Sequence, residues 1–168
     1  MYQIKTFNAI AEAGLNAFGP NYQLNQTEAA DALLIRSVDL HPYHFPENLK
    51  VIVRCGAGYN NIPLDVATAN GTAVFNTPGS NANAVKELVI AMLITASRNL
   101  LSAARYAAKN SGADISTRTE AEKTQFNGTE LTGKTLAVIG VGHVGARVAT
   151  AAGVLGMKVI GYDPYLSA

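Results

Sequence analysis

The stretch TLAVIGVGHVGARVA, residues 135–149, constrains this chain more than any other. Five residues rich in Leu, Val and Ile run into glycines at 140, 142 and 145, and apolar positions then recur at helical spacing. An apolar run that ends in bare backbone and resumes as a helix reads as strand, tight turn and helix. A second apolar run, KVIGY at 158–162, follows a helix stop at Gly156. Two strands joined by one helix in this order lie parallel, with a right-handed crossover.

The strand runs directly into Gly140, Gly142 lets the backbone approach a pyrophosphate with no side chain in the way, and Gly145 lets helix pack close on strand. The helix, expected to begin near Val144, aims free N–H groups and its positive dipole end at the phosphates. The backbones of His143 and Val144 belong to the same approach, while the His143 ring is expected at the surface. Asp163 stands 18 residues past Gly145, at the end of the second strand. A carboxylate there accepts hydrogen bonds from both ribose hydroxyls and repels a 2′-phosphate, so the expected cofactor is NAD rather than NADP. A plain glycine-rich turn, a flavin site and an S-adenosylmethionine site share much of this pattern and stay open at this point.

The rest of the chain reads as alternating strands and helices. Strands are expected at Tyr2–Thr6, Asp31–Ser37, Val51–Cys55, Ala73–Asn76, Thr135–Ile139 and Lys158–Tyr162. Helices are expected near Ala9–Ala17, Leu64–Asn70 and Val144–Leu155. DALLIRS at 31–37 has no polar alternation, which marks a strand buried on both faces. Val85, Leu88, Val89, Met92, Leu93 and Ala96 form a helical stripe. That stripe predicts one long helix over Ala84–Lys109, about 37 Å at 1.5 Å per residue. Ser111–Gly133 is polar and reads as loop. Asn81 and Asn83 are candidate caps of the long helix.

Composition narrows the function classes. The chain of 168 residues is 48% hydrophobic and 15% charged with net charge +1, which fits a packed domain and offers no basic stripe for nucleic acid. The longest apolar run is too short to span a bilayer, so no membrane role is expected. One cysteine, Cys55, excludes an internal disulfide and fits a reducing cytoplasm. It reads as a small buried residue. His41 and His44 have no third ligand nearby in sequence, so no metal is expected.

Residues 51–100, VIVRCGAGYNNIPLDVATANGTAVFNTPGSNANAVKELVIAMLITASRNL, together with ELTGKTLAVIGVGHVG, resemble the D-isomer-specific 2-hydroxyacid dehydrogenases. The likeness runs from ALLIRS at 32–37 to YDP at 162–164, and within the family it is strongest to the branch that oxidises 3-phosphoglycerate in serine biosynthesis. The resemblance implies an α/β chain: a flavodoxin-like substrate lobe over 1–98, then the first βαβ unit of a Rossmann NAD-binding domain over 99–168. It places Gly56, Ala57 and Gly58 around the substrate carboxylate, with Ala57 also near the nicotinamide. It gives the substrate phosphate to Arg36 and Arg54, and counts Ser37 among the substrate-binding residues. A guanidinium fork suits a phosphate, and strand C-terminal ends are where such sheets open their sites. Asn81 faces the active cleft in the same reading. Lys86 stands where the family often has a small residue, and adds charge near the substrate or is simply solvated.

Hydride removal from a secondary alcohol needs a base and a cation beside the substrate. The resemblance assigns these to a histidine, an orienting carboxylate and an arginine beyond residue 168, so no catalytic residue is expected within the chain. The expectation is a piece of a longer enzyme, inactive alone and weak or silent toward NAD. Its substrate lobe folds, and its nucleotide half-lobe needs a partner, such as a second copy docked along the long helix. The partners expected of the full enzyme are a small phosphorylated acid and a second subunit. Two other functions share the motifs: a dehydrogenase of an unphosphorylated acid, and a non-catalytic NAD-sensing module.

Overall fold

The structure, a computed structural model, describes residues 1–165. The chain divides into two compact units, residues 1–81 and residues 82 onward.

The first unit is built on a five-stranded, all-parallel sheet. Its strands are β1 (Tyr2–Thr6), β2 (Tyr22–Leu24), β3 (Ala32–Ile35), β4 (Val51–Arg54) and β5 (Ala73–Asn76), in spatial order β2-β1-β3-β4-β5. This is the flavodoxin-like order. The unbroken apolar run of β3 has the expected cause, since Leu33 and Ile35 on one face and Leu34 on the other are all buried. Leu33 and Ile35 join Leu40, Phe45, Leu49, Ile52, Ile62 and Ala67 in one core. Short helices α1 (Glu12–Leu15) and α2 (Leu64–Ala69) make the connections, and Gly71, at φ +70°, ends α2 in the left-handed turn that favours glycine. At the N-terminal edge of the sheet, Asp31 accepts the Gln3 N–H at 2.8 Å and the Lys50 ammonium at 3.1 Å, tying β1, β3 and β4 together.

Sequence periodicity missed β2. It is three residues long, largely exposed and paired on one side only, so it carries no alternation to read. The first helix is also shorter than the expected Ala9–Ala17.

The second unit opens with α3 (Ala82–Ser97) and α4 (Leu100–Lys109), followed by α5 (Ile115–Glu122) and a single 3-10 turn at Lys123–Phe126. Then come β6 (Thr135–Ile139), α6 (His143–Val154) and β7 (Lys158–Tyr162), with β6 and β7 parallel and in register from Thr135↔Lys158 to Ile139↔Tyr162. Helix α3 packs on α6. Both strands and the crossover fall where the sequence puts them.

The single long helix is not observed. It breaks at Asn99, where φ is +52°, and α4 leaves α3 at 67°. The cause lies in the segment read as loop. Asn99 donates its side-chain N–H to the Asn127 carbonyl at 2.9 Å, and the Thr129 N–H caps the Ser97 carbonyl at 2.7 Å. Gly128 slides against that break so closely that a Cβ would stand 2.3 Å from the Ser97 oxygen. Apolar periodicity runs through Asn99 without a gap, so the break is invisible in the stripe. The Ser111–Gly133 loop is likewise corrected: it holds α5, whose Arg118 reaches Asp114 at 3.0 Å and Asn110 at 2.8 Å. Among the described residues no single helix is long and apolar enough to cross a membrane.

Candidate functional site

In the first unit the chain leaves β1 toward β2 on one side and returns to β3 on the other. That reversal opens a crevice at the C-terminal ends of β1 and β3. Residues 7–8 follow β1, residues 36–38 follow β3, and residues 55–58 follow β4. Ile35 of β3 pairs with Arg54 of β4, so Arg36 and Arg54 emerge on one sheet edge.

The arginine side chains there are each held by a backbone carbonyl. Arg54 Nε donates to the Arg36 carbonyl at 3.0 Å, and Arg36 Nη1 donates to the Ala9 carbonyl at 3.2 Å. The Arg54 guanidinium then lies over Gly56. A Cβ on Gly56 would stand 2.0 Å from Arg54 Nη1, so the glycine makes room for the cation. The Gly56 N–H is turned back to the Arg54 carbonyl at 2.9 Å, and the Gly56 carbonyl accepts the Thr77 N–H at 2.9 Å. Among the described residues nothing takes the N–H of Ala57 or Gly58. Asn76 holds this loop from below by donating to the Ala57 carbonyl at 2.7 Å. The edge therefore presents a guanidinium pair and two open amides.

Ser37 is exposed in the same turn, with its N–H held by Asn8 Oδ1 at 2.9 Å. Cys55 is also exposed, which corrects the buried reading: its backbone continues the ladder to Ile35, but its side chain lies at the open edge. Asp39 Oδ1 meets His41 Nδ1 at 2.5 Å, and this contact holds the Asp39 carboxyl below its ordinary value. Among the described residues no group of His, Cys, Asp and Glu is placed to hold a metal. Asn81 is the residue just before α3 and is exposed. Asn83 does not cap; inside the helix its amide donates to Glu87 and accepts from Lys86, both at 2.7 Å.

Sequence reasoning passed over Asn8 and Asn61. Asn8 Oδ1 accepts the N–H groups of Arg36, Ser37 and Val38 at 3.2, 2.9 and 3.0 Å. Asn61 donates to the Val38 carbonyl at 2.7 Å and to the Arg36 carbonyl at 3.3 Å. An asparagine directly after a strand is a signal for Asn8, because Asn tolerates the left-handed conformation it adopts here, φ +67°.

The second unit carries the glycine loop. Gly140 has φ +89°, a conformation that favours glycine. A Cβ on Gly145 would stand 2.0 Å from the Gly140 oxygen and 3.1 Å from Val138 Cγ1, so only glycine allows α6 this close to β6. At Gly142 a Cβ would meet nothing within 4 Å. Internal packing does not require a glycine there, whereas a ligand lying on the backbone does. Helix α6 starts at His143, one residue before the expected start, and its first turn bond runs from the Ala146 N–H to the Gly142 carbonyl at 3.0 Å. Among the described residues the N–H groups of Gly142, His143, Val144 and Gly145 have no partner. The residues present thus fit a dinucleotide pyrophosphate. Asp163 Oδ2 accepts the Val141 N–H at 2.8 Å and Oδ1 the Tyr165 N–H at 3.0 Å, which pins the loop to the end of β7. Each oxygen keeps a second acceptor site for a ribose hydroxyl. The exposed His143 lines a groove of about 520 Å³ with Lys86 and Arg147.

Residues 22–133 match the family model of the D-isomer specific 2-hydroxyacid dehydrogenase, catalytic domain. The chain belongs to that family. The D-3-phosphoglycerate dehydrogenase of Mycobacterium leprae is 39% identical over 142 residues, 82% of this chain and 25% of that protein. That of Methanocaldococcus jannaschii is 38% identical over 146 residues, 85% of this chain and 26% of that protein. The chain thus spans about a quarter of the length of the curated relatives it matches. Among solved structures, the NAD+-bound 3-phosphoglycerate dehydrogenase of Entamoeba histolytica superposes with a TM-score of 0.68 at 27% identity, covering 99% of this chain and 55% of that one.

Proposed function

We propose that this chain is part of an NAD-dependent D-3-phosphoglycerate dehydrogenase, which converts 3-phosphoglycerate to 3-phosphohydroxypyruvate. The observation that carries the reading is the pairing of Arg36 and Arg54 at one sheet edge beside the open amides of Ala57 and Gly58. A substrate with a phosphate at one end and a carboxylate at the other matches a guanidinium pair next to a pair of N–H donors. The similarity to enzymes named for that substrate supports the same choice.

In this reading Arg36, with Ser37 beside it, and Arg54 hold the phosphate, while Ala57 and Gly58 orient the carboxylate. Gly56 admits the Arg54 guanidinium, and Asn81 borders the cleft. Gly140, Gly142, His143, Val144 and Gly145 seat the NAD pyrophosphate through backbone groups, and Asp163 selects the unphosphorylated ribose. When bound on the glycine loop, NAD would supply the hydride acceptor for the hydroxyl-bearing carbon. A homodimer is part of the proposal: Leu88 and Met92 on α3 are 60% and 63% exposed, an apolar face suited to a second copy.

The test uses the protein expressed from its complete reading frame. NADH formation is followed with 3-phosphoglycerate, D-glycerate and D-lactate at equal concentration. Preference for the phosphorylated acid supports the proposal, and preference for either unphosphorylated acid overturns its substrate.

A further inference from the structure

The Arg36–Val38 turn is held by one side-chain atom. Three consecutive backbone N–H groups converge on Asn8 Oδ1, a contact that spans 28 to 30 residues of sequence. Successive N–H groups aimed at one point form the kind of concavity that binds anions, and a neutral amide oxygen fills it here. Strand β1 makes its last ladder contact just before, from the Phe7 N–H to the Leu34 carbonyl at 2.8 Å. Asn8 is thus the first residue past the sheet. Its left-handed backbone turns the side chain toward the end of β3, at the crevice where the strand order reverses.

The grip extends to both arginines. The next residue, Ala9, receives Arg36 Nη1 through its carbonyl. The Arg36 carbonyl in turn receives Arg54 Nε, and Arg54 lies over Gly56. The order of dependence runs Asn8, Arg36, Arg54, Gly56.

We infer that Asn8 is a positioning residue for anion recognition: it presets the Arg36–Val38 turn, and through it both guanidinium groups, to receive the substrate phosphate. This rests on the proposed substrate. Without Asn8 the arginines keep their charge but lose their common geometry, so the cost falls on binding the phosphorylated end. Turnover of bound substrate depends on groups elsewhere and changes little.

The experiment compares wild type, Asn8→Ala and Asn8→Asp in the complete reading frame, with 3-phosphoglycerate and D-glycerate as substrates. Asn8→Ala raises KM for the phosphorylated acid by about tenfold, the equivalent of one lost hydrogen bond to a charged-ligand site, with kcat within about threefold. KM for D-glycerate moves little. Asn8→Asp keeps an oxygen acceptor at the same place, so the Arg36–Val38 turn stays held, but its added negative charge beside the phosphate leaves KM for the phosphorylated acid raised. Equal losses for both substrates, a fall confined to kcat, or amide exchange at Arg36–Val38 as fast in Asn8→Asp as in Asn8→Ala would overturn the inference. The wild-type comparison reads the substrate separately: if D-glycerate is preferred there, the phosphate reading falls and the ligand named here falls with it. Amide exchange at Arg36, Ser37 and Val38 tests the positioning alone, and must quicken in Asn8→Ala if the grip is real.

Discussion

The two units of this chain use the same device, a parallel strand–helix–strand crossover, with opposite results. In the first, five strands enclose a core, and Leu33, Ile35 and Ile52 have no exposed surface. In the second, among the described residues, two strands stand on α6 alone, leaving Ile139 85%, Ile160 60% and Tyr162 66% exposed. A crossover sets direction and hand, but burial comes only when further layers cover both faces of the sheet. The ligand chemistry follows the same division. In the proposed reading the first unit recognises through arginine side chains and two open amides at a buried sheet's edge. The second offers mainly backbone, which the glycines expose and the helix start orients.

The largest expected effect falls on the second unit. Gly145→Val places carbon where the Gly140 oxygen lies 2.0 Å from the Cβ position. Helix α6 must move off β6, and in the complete protein NAD affinity measured by fluorescence titration falls by about 100-fold or more, since close-packed backbone cannot absorb the overlap. Exchange protection in β3 and β4 stays unchanged. Unaltered NAD affinity would show that the helix is not held by this contact.

Ile52→Ala probes the other side of the comparison. It removes a fully buried side chain from the core and costs the first unit about 2–5 kcal/mol, read from urea unfolding. Loss of protection in β1, β3 and β4 with β6 and β7 unaffected would confirm separate cooperativity. Simultaneous loss in both units would break the comparison.

A smaller effect is tied to pH. The Gln3 N–H and, after it, the Lys50 side chain hold the Asp31 carboxyl below its ordinary value of 3.8. A carboxyl depressed in the folded state contributes stability that is fully present above the unfolded value and is lost as pH falls through the folded one. Asp31→Asn therefore lowers the urea midpoint at pH 7, and its deficit against wild type narrows as pH drops below 3.8. A deficit as large at pH 3 as at pH 7 would mean that charge at Asp31 is not the source.

How much of this was legible in sequence follows from what each feature rests on. β6, α6 and β7 were readable because strand, glycines and helix are contiguous and each states its own backbone need. β3 was readable from its unbroken apolar run. Arg36 and Arg54 were readable as strand-end cations, but their mutual engagement depends on register between β3 and β4, which no local pattern carries. The same holds for Asn8, whose three contacts lie about 30 residues away. Asn99 hides inside a continuous apolar stripe, because its partner is Asn127 and the wedge is Gly128. Exposure of Cys55 was missed because it sits one residue past the end of β4, where alternation no longer predicts burial.

The account turns on two arginines acting as one phosphate site, and a double-mutant cycle tests it most directly. Arg36→Ala, Arg54→Ala and the double variant, in the complete reading frame, are compared by kcat/KM for 3-phosphoglycerate relative to D-glycerate. Because Arg54 rests on the Arg36 carbonyl and both serve one ligand, each single variant should lose most of the preference. The double variant should then lose far less than the product of the two, a coupling of about 1–3 kcal/mol. Fully multiplicative losses, or a preference that survives both substitutions, would contradict it.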